Sequence, residues 1–357
     1  MSDYKIIVIG ASHGGVVALE TIVAGLPVDL NAAIFVTLHI GSSSRSSLPE
    51  ILNRAGSLPV AWACHAEPIF PGRIYVAPPD QHMLVARGYV RTVHGPKENH
   101  TRPAVDPLFR SAALTYGADV IGVILTGNLD NGTAGLLAIK DCGGITIVQD
   151  PAEALAPSMP LNALRHVAID HCLPLDEIGA FLMTATAREA ADPDPPPPSA
   201  DNHSIMRLFM IENEFADASR VPHDRLEEIG IASTLTCPEC RSVLYKIRDE
   251  RALRFRCQLG HAFSAKTLLQ DLAAAREDAL WFAVRAVFEE AELARCLVQD
   301  SGSRDTHLAR FLSELADRAE AQIGQLRKVI ASISDLIEPD HLEATTVDLP
   351  RRDVDVA

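Results

Sequence analysis

The chain has 357 residues, 47% of them hydrophobic, with a formal net charge of −15 and seven cysteines. That acidity excludes a nucleic-acid scaffold, whose affinity rests on neutralising phosphates, and no apolar run reaches the roughly 18 residues of a membrane-spanning helix. A strand begins almost at once, leaving no room for a secretory leader, and an odd cysteine count with three clustered predicts a reducing, cytoplasmic setting rather than a disulfide framework.

Residues 1–186 alternate short β-rich runs with helical patterns. Strands are predicted at Lys5–Ile9, Ala33–Leu38, Val60–Ala63, Arg73–Val76, Met83–Ala86, Tyr89–Val93, Val120–Leu125 and Ile145–Val148. Helices are predicted at Val16–Leu26, Ser47–Ala55, Asp106–Tyr116, Thr133–Asp141, Pro160–Leu164 and Leu175–Thr186. Such alternation predicts an α/β fold with a doubly wound, mainly parallel sheet, and Met83–Val93 is an inserted hairpin turning at Arg87-Gly88. Residues 187–204 carry the run Pro195–Pro198 and predict a semi-rigid linker. Residues 205–264 are read as a helix plus a cysteine-bearing ribbon, 265–340 as a helical hairpin, and 341–357 as a charged, frayed tail.

Three predicted strand ends carry candidate chemistry. The first strand ends in Gly10-Ala11-Ser12-His13-Gly14, a Gly-x-Ser-x-Gly turn that projects a hydroxyl above the sheet. The second ends at His39, and the apolar strand Val120–Leu125 runs into Thr126-Gly127-Asn128-Leu129-Asp130-Asn131-Gly132. Serine needs an imidazole to take its proton and a third group to orient that imidazole. Each piece also has a plainer reading: a tight turn or phosphate nest at Ser12, a structural histidine at His39, and a helix N-cap at Asp130-Asn131. A dinucleotide fingerprint and a Walker phosphate loop are both absent.

These pieces occur in one order with Tyr75-Val76-Ala77-Pro78-Pro79-Asp80-Gln81-His82-Met83, Arg102-Pro103-Ala104-Val105-Asp106 and Val123-Ile124-Leu125-Thr126-Gly127. The series resembles the catalytic domain of the chemotaxis protein-glutamate methylesterases, the CheB family, over about residues 4–185. The resemblance implies hydrolysis of glutamate γ-methyl esters on a methyl-accepting chemoreceptor-like protein, with glutamine deamidation as a sister activity and no cofactor for catalysis. It implies Ser12 as nucleophile, His39 as base, and the backbone N–H groups of His13 and Asn128 as oxyanion donors, each worth roughly 3 kcal/mol. The family's triad aspartate aligns with Asn131, while Asp130 stands one residue earlier, so either orients His39. With Asn131 in the role, the expectation is weakened catalysis. His13 replaces the usual Thr or Ser, and Leu38 and Ile40 replace the usual Gln and Met. His82 follows the Pro-Pro-Asp segment and is not assigned as base. The family's regulated members carry an N-terminal receiver domain, whereas this chain starts in the first esterase strand, so control is expected from the C-terminal region.

Cys237-Pro238-Glu239-Cys240 and Cys257-Gln258-Leu259-Gly260-His261 have the spacing of a Cys₃His zinc site on two knuckles, with Val243–Ile247 and Leu253–Phe255 as a two-stranded ribbon. A redox pair at Cys237 and Cys240 is the rival reading. Beyond it, apolar residues at spacings of three and four, from Leu268 to Leu293 and Leu308 to Ile330, predict two amphipathic helices. These make a self-contained bundle or a surface for a signalling partner or self-association. An alternative to an enzyme is therefore an esterase-fold adaptor that binds partners through the zinc and helical region.

Overall fold

Alternate burial along the first strand divides the core in two. Ile6 and Val8 of β1 (Lys5–Ala11) join one buried cluster, Ile7 and Ile9 the other, as the period-2 geometry of a strand requires. A computed structural model describes residues 4–39, 46–187, 200–217, 223–301 and 306–334, which fall into two units, Met1–Leu268 and Leu269–Ala357.

In the first unit β1 is followed by α1 (Gly15–Ala24), β2 (Ala32–Leu38), α2 (Leu48–Ala55), β3 (Val60–Trp62), β4 (Arg73–Val76), the hairpin β5 (His82–Ala86) and β6 (Tyr89–Val93), and α3 (Val105–Tyr116). The chain continues through β7 (Val120–Ile124), α4 (Thr133–Asp141), β8 (Ile145–Gln149), α5 (Ser158–His166), β9 (His171–Leu173) and α6 (Leu175–Thr186). The sheet has seven strands in the order β3-β4-β2-β1-β7-β8-β9, and every pairing is parallel. Helices α1, α2 and α6 cover one face and α3, α4 and α5 the other, which is the doubly wound arrangement read from the sequence. Strand order reverses between β1 and β7, and in open parallel sheets ligands bind at the carboxyl ends beside such a switch.

The expected strands and helices are present with end shifts of a residue or two. In the parallel sheet one strand was not expected: β9 is three residues at the sheet edge, partly exposed, and too short to carry an alternating pattern. The predicted linker lies outside the described residues between 188 and 199, and the tail at 341–357 lies outside them too. The helical reading of 205–231 is corrected to α7 (Ala200–Ala216), α8 (Leu226–Ile229) and a strand, β10 (Gly230–Thr236). With β11 (Val243–Ile247), β12 (Arg254–Cys257) and β13 (Ala262–Ser264), β10 makes a four-stranded antiparallel sheet where a two-stranded ribbon was expected. Only Gly230 of β10 is fully buried, so this strand lacks a hydrophobic signature.

The core does not break at the linker. Phe209, Ile211 and Phe215 of α7, Ile229, and Tyr245 and Ile247 of β11 belong to the same buried cluster as Phe109 and Leu136 of the esterase-like region. Buried charges bridge the two: Glu98 meets Arg110 at 2.9 Å and Arg256 at 2.9 Å, and Arg110 donates to Glu212 O at 3.3 Å. A β-bridge pairs Glu98 with Ala262.

Helix α9 (Ala265–Ser301) leads into the second unit, which also contains α10 (Thr306–Ser334). Ala294, Leu312 and Ala316 form its small core with Val298 and Leu315, and Arg295 pairs with Glu292 and Glu320. Phe282 is 74% exposed and Trp281, Phe288 and Phe311 are about half exposed, so the two helices leave much apolar surface uncovered. Among the described residues no helix is long and apolar enough to cross a membrane.

Candidate active site

The turn after β1 builds the first corner. Gly14 caps α1 at φ +78°, a left-handed conformation that glycine adopts without penalty. Ser12 thus sits between a strand and a helix N-terminus, partly exposed, with its N–H donating to Thr126 O at 3.0 Å and its carbonyl accepting Gly15 N–H at 2.9 Å. The β1–β2 register pairs Ala11 with Leu38, and His39 N–H donates to Ala11 O at 3.2 Å. Ser12 and His39 are therefore the next residues along two adjacent strands, whose spacing is about 4.8 Å. No hydrogen bond joins Ser12 Oγ to the ring. The backbone N–H groups of His13 and Asn128 have no hydrogen-bond partner among the described residues, which leaves both free to receive a ligand oxygen.

The third corner is the loop between β7 and α4. Asn131 is 3% exposed and its Nδ2 lies 2.9 Å from His39 Nε2. Nδ2 also donates to Thr101 Oγ at 3.0 Å, while Oδ1 accepts the N–H groups of Val105 at 3.0 Å and Asp106 at 3.3 Å in the first turn of α3. Those two backbone donors fix the amide, because a flipped Asn131 would point N–H at N–H. Thr101 Oγ donates to Glu98 O at 3.2 Å and so receives, rather than supplies, the proton shared with Asn131. The remaining Nδ2 proton points at His39 Nε2, and the neutral ring then carries its own proton on Nδ1. Burial pushes His39 down to about 4, which keeps the ring neutral at physiological pH.

Asp130 is directed elsewhere: its carboxylate accepts the Ser264 hydroxyl at 2.7 Å, and burial raises its pKa. Of the two rivals for orienting His39, Asn131 is the one in contact with it. His82 is fully buried, with Nε2 on Pro96 O at 2.9 Å and Nδ1 accepting Ala104 N–H at 3.2 Å, so neither nitrogen is available to a substrate. Two supporting residues had no assigned role in the sequence reading. Thr101 orients the Asn131 amide. Asp106 accepts Gly132 N–H at 3.1 Å and Gly135 N–H at 2.7 Å, pinning the start of α4, and takes Asn99 Nδ2 at 2.9 Å. Burial and the neighbouring Glu98 raise Asp106 to about 6. Its only signal was its place in Arg102-Pro103-Ala104-Val105-Asp106.

A second cluster lies on the four-stranded sheet. The ligand atoms of Cys237, Cys240, Cys257 and His261 all fall within 4.8 Å of one another. Cys240 and Cys257 Sγ are 3.6 Å apart, and His261 Nδ1 is 3.6 Å from Cys257 Sγ and 3.8 Å from Cys237 Sγ. A tetrahedral zinc with Zn–S bonds of about 2.3 Å separates its ligands by about 3.8 Å, so the four groups fit that ion. Knuckle hydrogen bonds, Arg241 N–H to Cys237 O at 2.9 Å and Gly260 N–H to Cys257 O at 2.9 Å, shape both pairs.

Comparison with known proteins gives a consistent picture for the first half of the chain. Residues 7–182 match the family model described as CheB methylesterase. A protein-glutamate methylesterase/protein-glutamine glutaminase 2 of Anaeromyxobacter dehalogenans is 40% identical over 182 residues, which cover 51% of this chain and 53% of that protein. A relative from Leptospira interrogans is 37% identical over 182 residues and is covered over 94% of its length. The crystal structure of the Thermotoga maritima CheB methylesterase catalytic domain is 34% identical, with 51% of this chain and 99% of that chain covered and a TM-score of 0.49. The chain spans about half the length of most of the curated relatives it matches.

Proposed function

The chain belongs to the CheB methylesterase family, and we propose that its first unit hydrolyses glutamate γ-methyl esters on the helices of a methyl-accepting chemoreceptor-like protein, with glutamine deamidation as a sister activity. In this reading Ser12 Oγ attacks the ester carbonyl and its proton passes to His39. The oxyanion of the tetrahedral intermediate takes the N–H groups of His13 and Asn128. Methanol leaves with the proton returned by His39. Water then attacks the acyl-enzyme with the same histidine as base, releasing the glutamate carboxylate and restoring Ser12. No metal enters these steps, and the Cys₃His group serves as a closed structural zinc site. Reduced cysteines in that cluster suit a cytoplasmic protein.

The observation that carries this reading is the meeting of three loops at the strand-order switch, with Ser12 and His39 ending neighbouring strands and Asn131 against the ring. The same observation sets the rate. With Nε2 receiving the Asn131 proton, Nδ1 is the nitrogen left for Ser12, and it is protonated in the favoured tautomer. Serine is then activated only through the minor tautomer, so turnover is slow. An aspartate-to-asparagine exchange of this kind lowers kcat about 10⁴-fold in a serine protease by the same tautomer effect. That detuning favours a second reading, an esterase-fold adaptor that signals through the zinc and helical region.

A fluorophosphonate label separates the two. The enzyme reading predicts a slow, stoichiometric adduct on Ser12, found by peptide mass spectrometry and absent from Ser12→Ala. Folded protein that takes no label over days supports the adaptor.

A further inference from the structure

We propose that a zinc ion held by Cys237, Cys240, Cys257 and His261 braces the turn at residues 98–101, and through Thr101 keeps Asn131 against His39. The inference rests on the esterase reading of His39 and Asn131.

Both metal knuckles reach this turn. Glu239, between the first two cysteines, pairs with Lys97 at 3.1 Å. Arg256, next to Cys257, donates to Gly260 O inside the second knuckle at 2.8 Å and to Glu98 at 2.9 Å. Ala262, next to His261, accepts Asn99 N–H at 2.8 Å and donates its own N–H to Lys97 O at 3.2 Å. Ser264 N–H then meets Asn99 Oδ1 at 2.8 Å. The turn they grip is strained, with Asn99 at φ +49° and His100 at φ +65°. Residues in the left-handed region persist where the surroundings over-determine them, and here Asn99 is held by Ala262, beside the second knuckle, and by Ser264 and Asp106. On the other side of the turn Thr101 Oγ holds Asn131 Nδ2. Ser264 grips Asp130, the preceding residue, so the loop that touches His39 is held at two neighbouring points. Three thiols and an imidazole gathered within 4.8 Å of one another are a donor set suited to zinc, and metal binding at such sites is coupled to local folding.

The test uses the full chain. Zinc is quantified in the purified protein, removed with a chelator and then restored. Hydrogen exchange of residues 97–104 and the rate of Ser12 labelling are followed throughout. The expected results are one zinc per chain, exchange at 97–104 rising about tenfold or more on removal while β1 and β7 stay protected, a change in labelling rate as Asn131 leaves the ring, and recovery of both with zinc. Asn99→Gly, which removes the side-chain bonds to Ser264 and Asp106 without touching a ligand, is expected to keep its zinc and show a smaller rise. The proposal is overturned by a chain that binds no zinc, by unchanged exchange at 97–104 after zinc is lost, or by loss of protection throughout the parallel sheet. If exchange follows zinc while Ser12 never labels, the brace stands and the esterase reading fails.

Discussion

The surroundings of Asn131 suit a carboxylate. Val105 and Asp106 N–H meet one side-chain oxygen, and Thr101 Oγ and the His39 ring meet the other terminal atom. An aspartate there would accept from the two N–H groups and the ring, with the Thr101 hydroxyl having to turn from Glu98 O to join them, moving the ring proton to Nε2 and freeing Nδ1 for Ser12. Asn131→Asp is therefore expected to raise Ser12 turnover by about 10²- to 10⁴-fold. It also shifts the pH profile. His39 sits at about 4 in the present chain and is active when neutral, so the acid limb of Ser12 labelling should fall near pH 4 rather than 6.5. A carboxylate beside the ring favours the imidazolium, so the limb in Asn131→Asp should move to higher pH. Measuring the labelling rate from pH 3.5 to 8 checks both. Sequence pattern alone left Asp130 and Asn131 as rivals because they are adjacent in a loop with no periodicity. What distinguishes them is Ser264, far along the chain, on one and the α3 N–H donors on the other.

At the level of elements, the strongly periodic segments were legible and the short or polar ones were not. The β1, β2 and β7 runs are nearly all apolar and buried, and each could be read as a strand ending in chemistry. By contrast, β9 and β10 take their place from pairing partners rather than from their own side chains. The Cys₃His spacing was visible, but its attachment was not, because that attachment consists of charges distant in sequence. Glu98 shows the cost of this design. Burial disfavours its carboxylate, yet Arg110 and Arg256 outweigh burial and hold it down to about 2. Glu98→Ala leaves two buried guanidinium groups short of a partner, and a loss of about 3–5 kcal/mol is expected, measured by urea denaturation. A change below about 1 kcal/mol would mean that the network does not join the two sheets.

For the molecule as a whole, a parallel sheet sets its loops at one edge, so the location of chemistry follows from topology once strand order is known. Strand order itself was beyond the pattern, since β3 pairs outside β4 and β7 returns beside β1. Residues 205–264, read from the sequence as a helix and ribbon beyond a linker, share one unit with the esterase-like sheet, and that unit runs to Leu268. The most direct measurement is methanol release from a receptor helix fragment methylated at glutamate, comparing the present chain with Ser12→Ala and Asn131→Asp. The account predicts slow release by the chain, none by Ser12→Ala and much faster release by Asn131→Asp. Release that survives Ser12→Ala, or that stays undetectable in a folded Asn131→Asp protein, would contradict it.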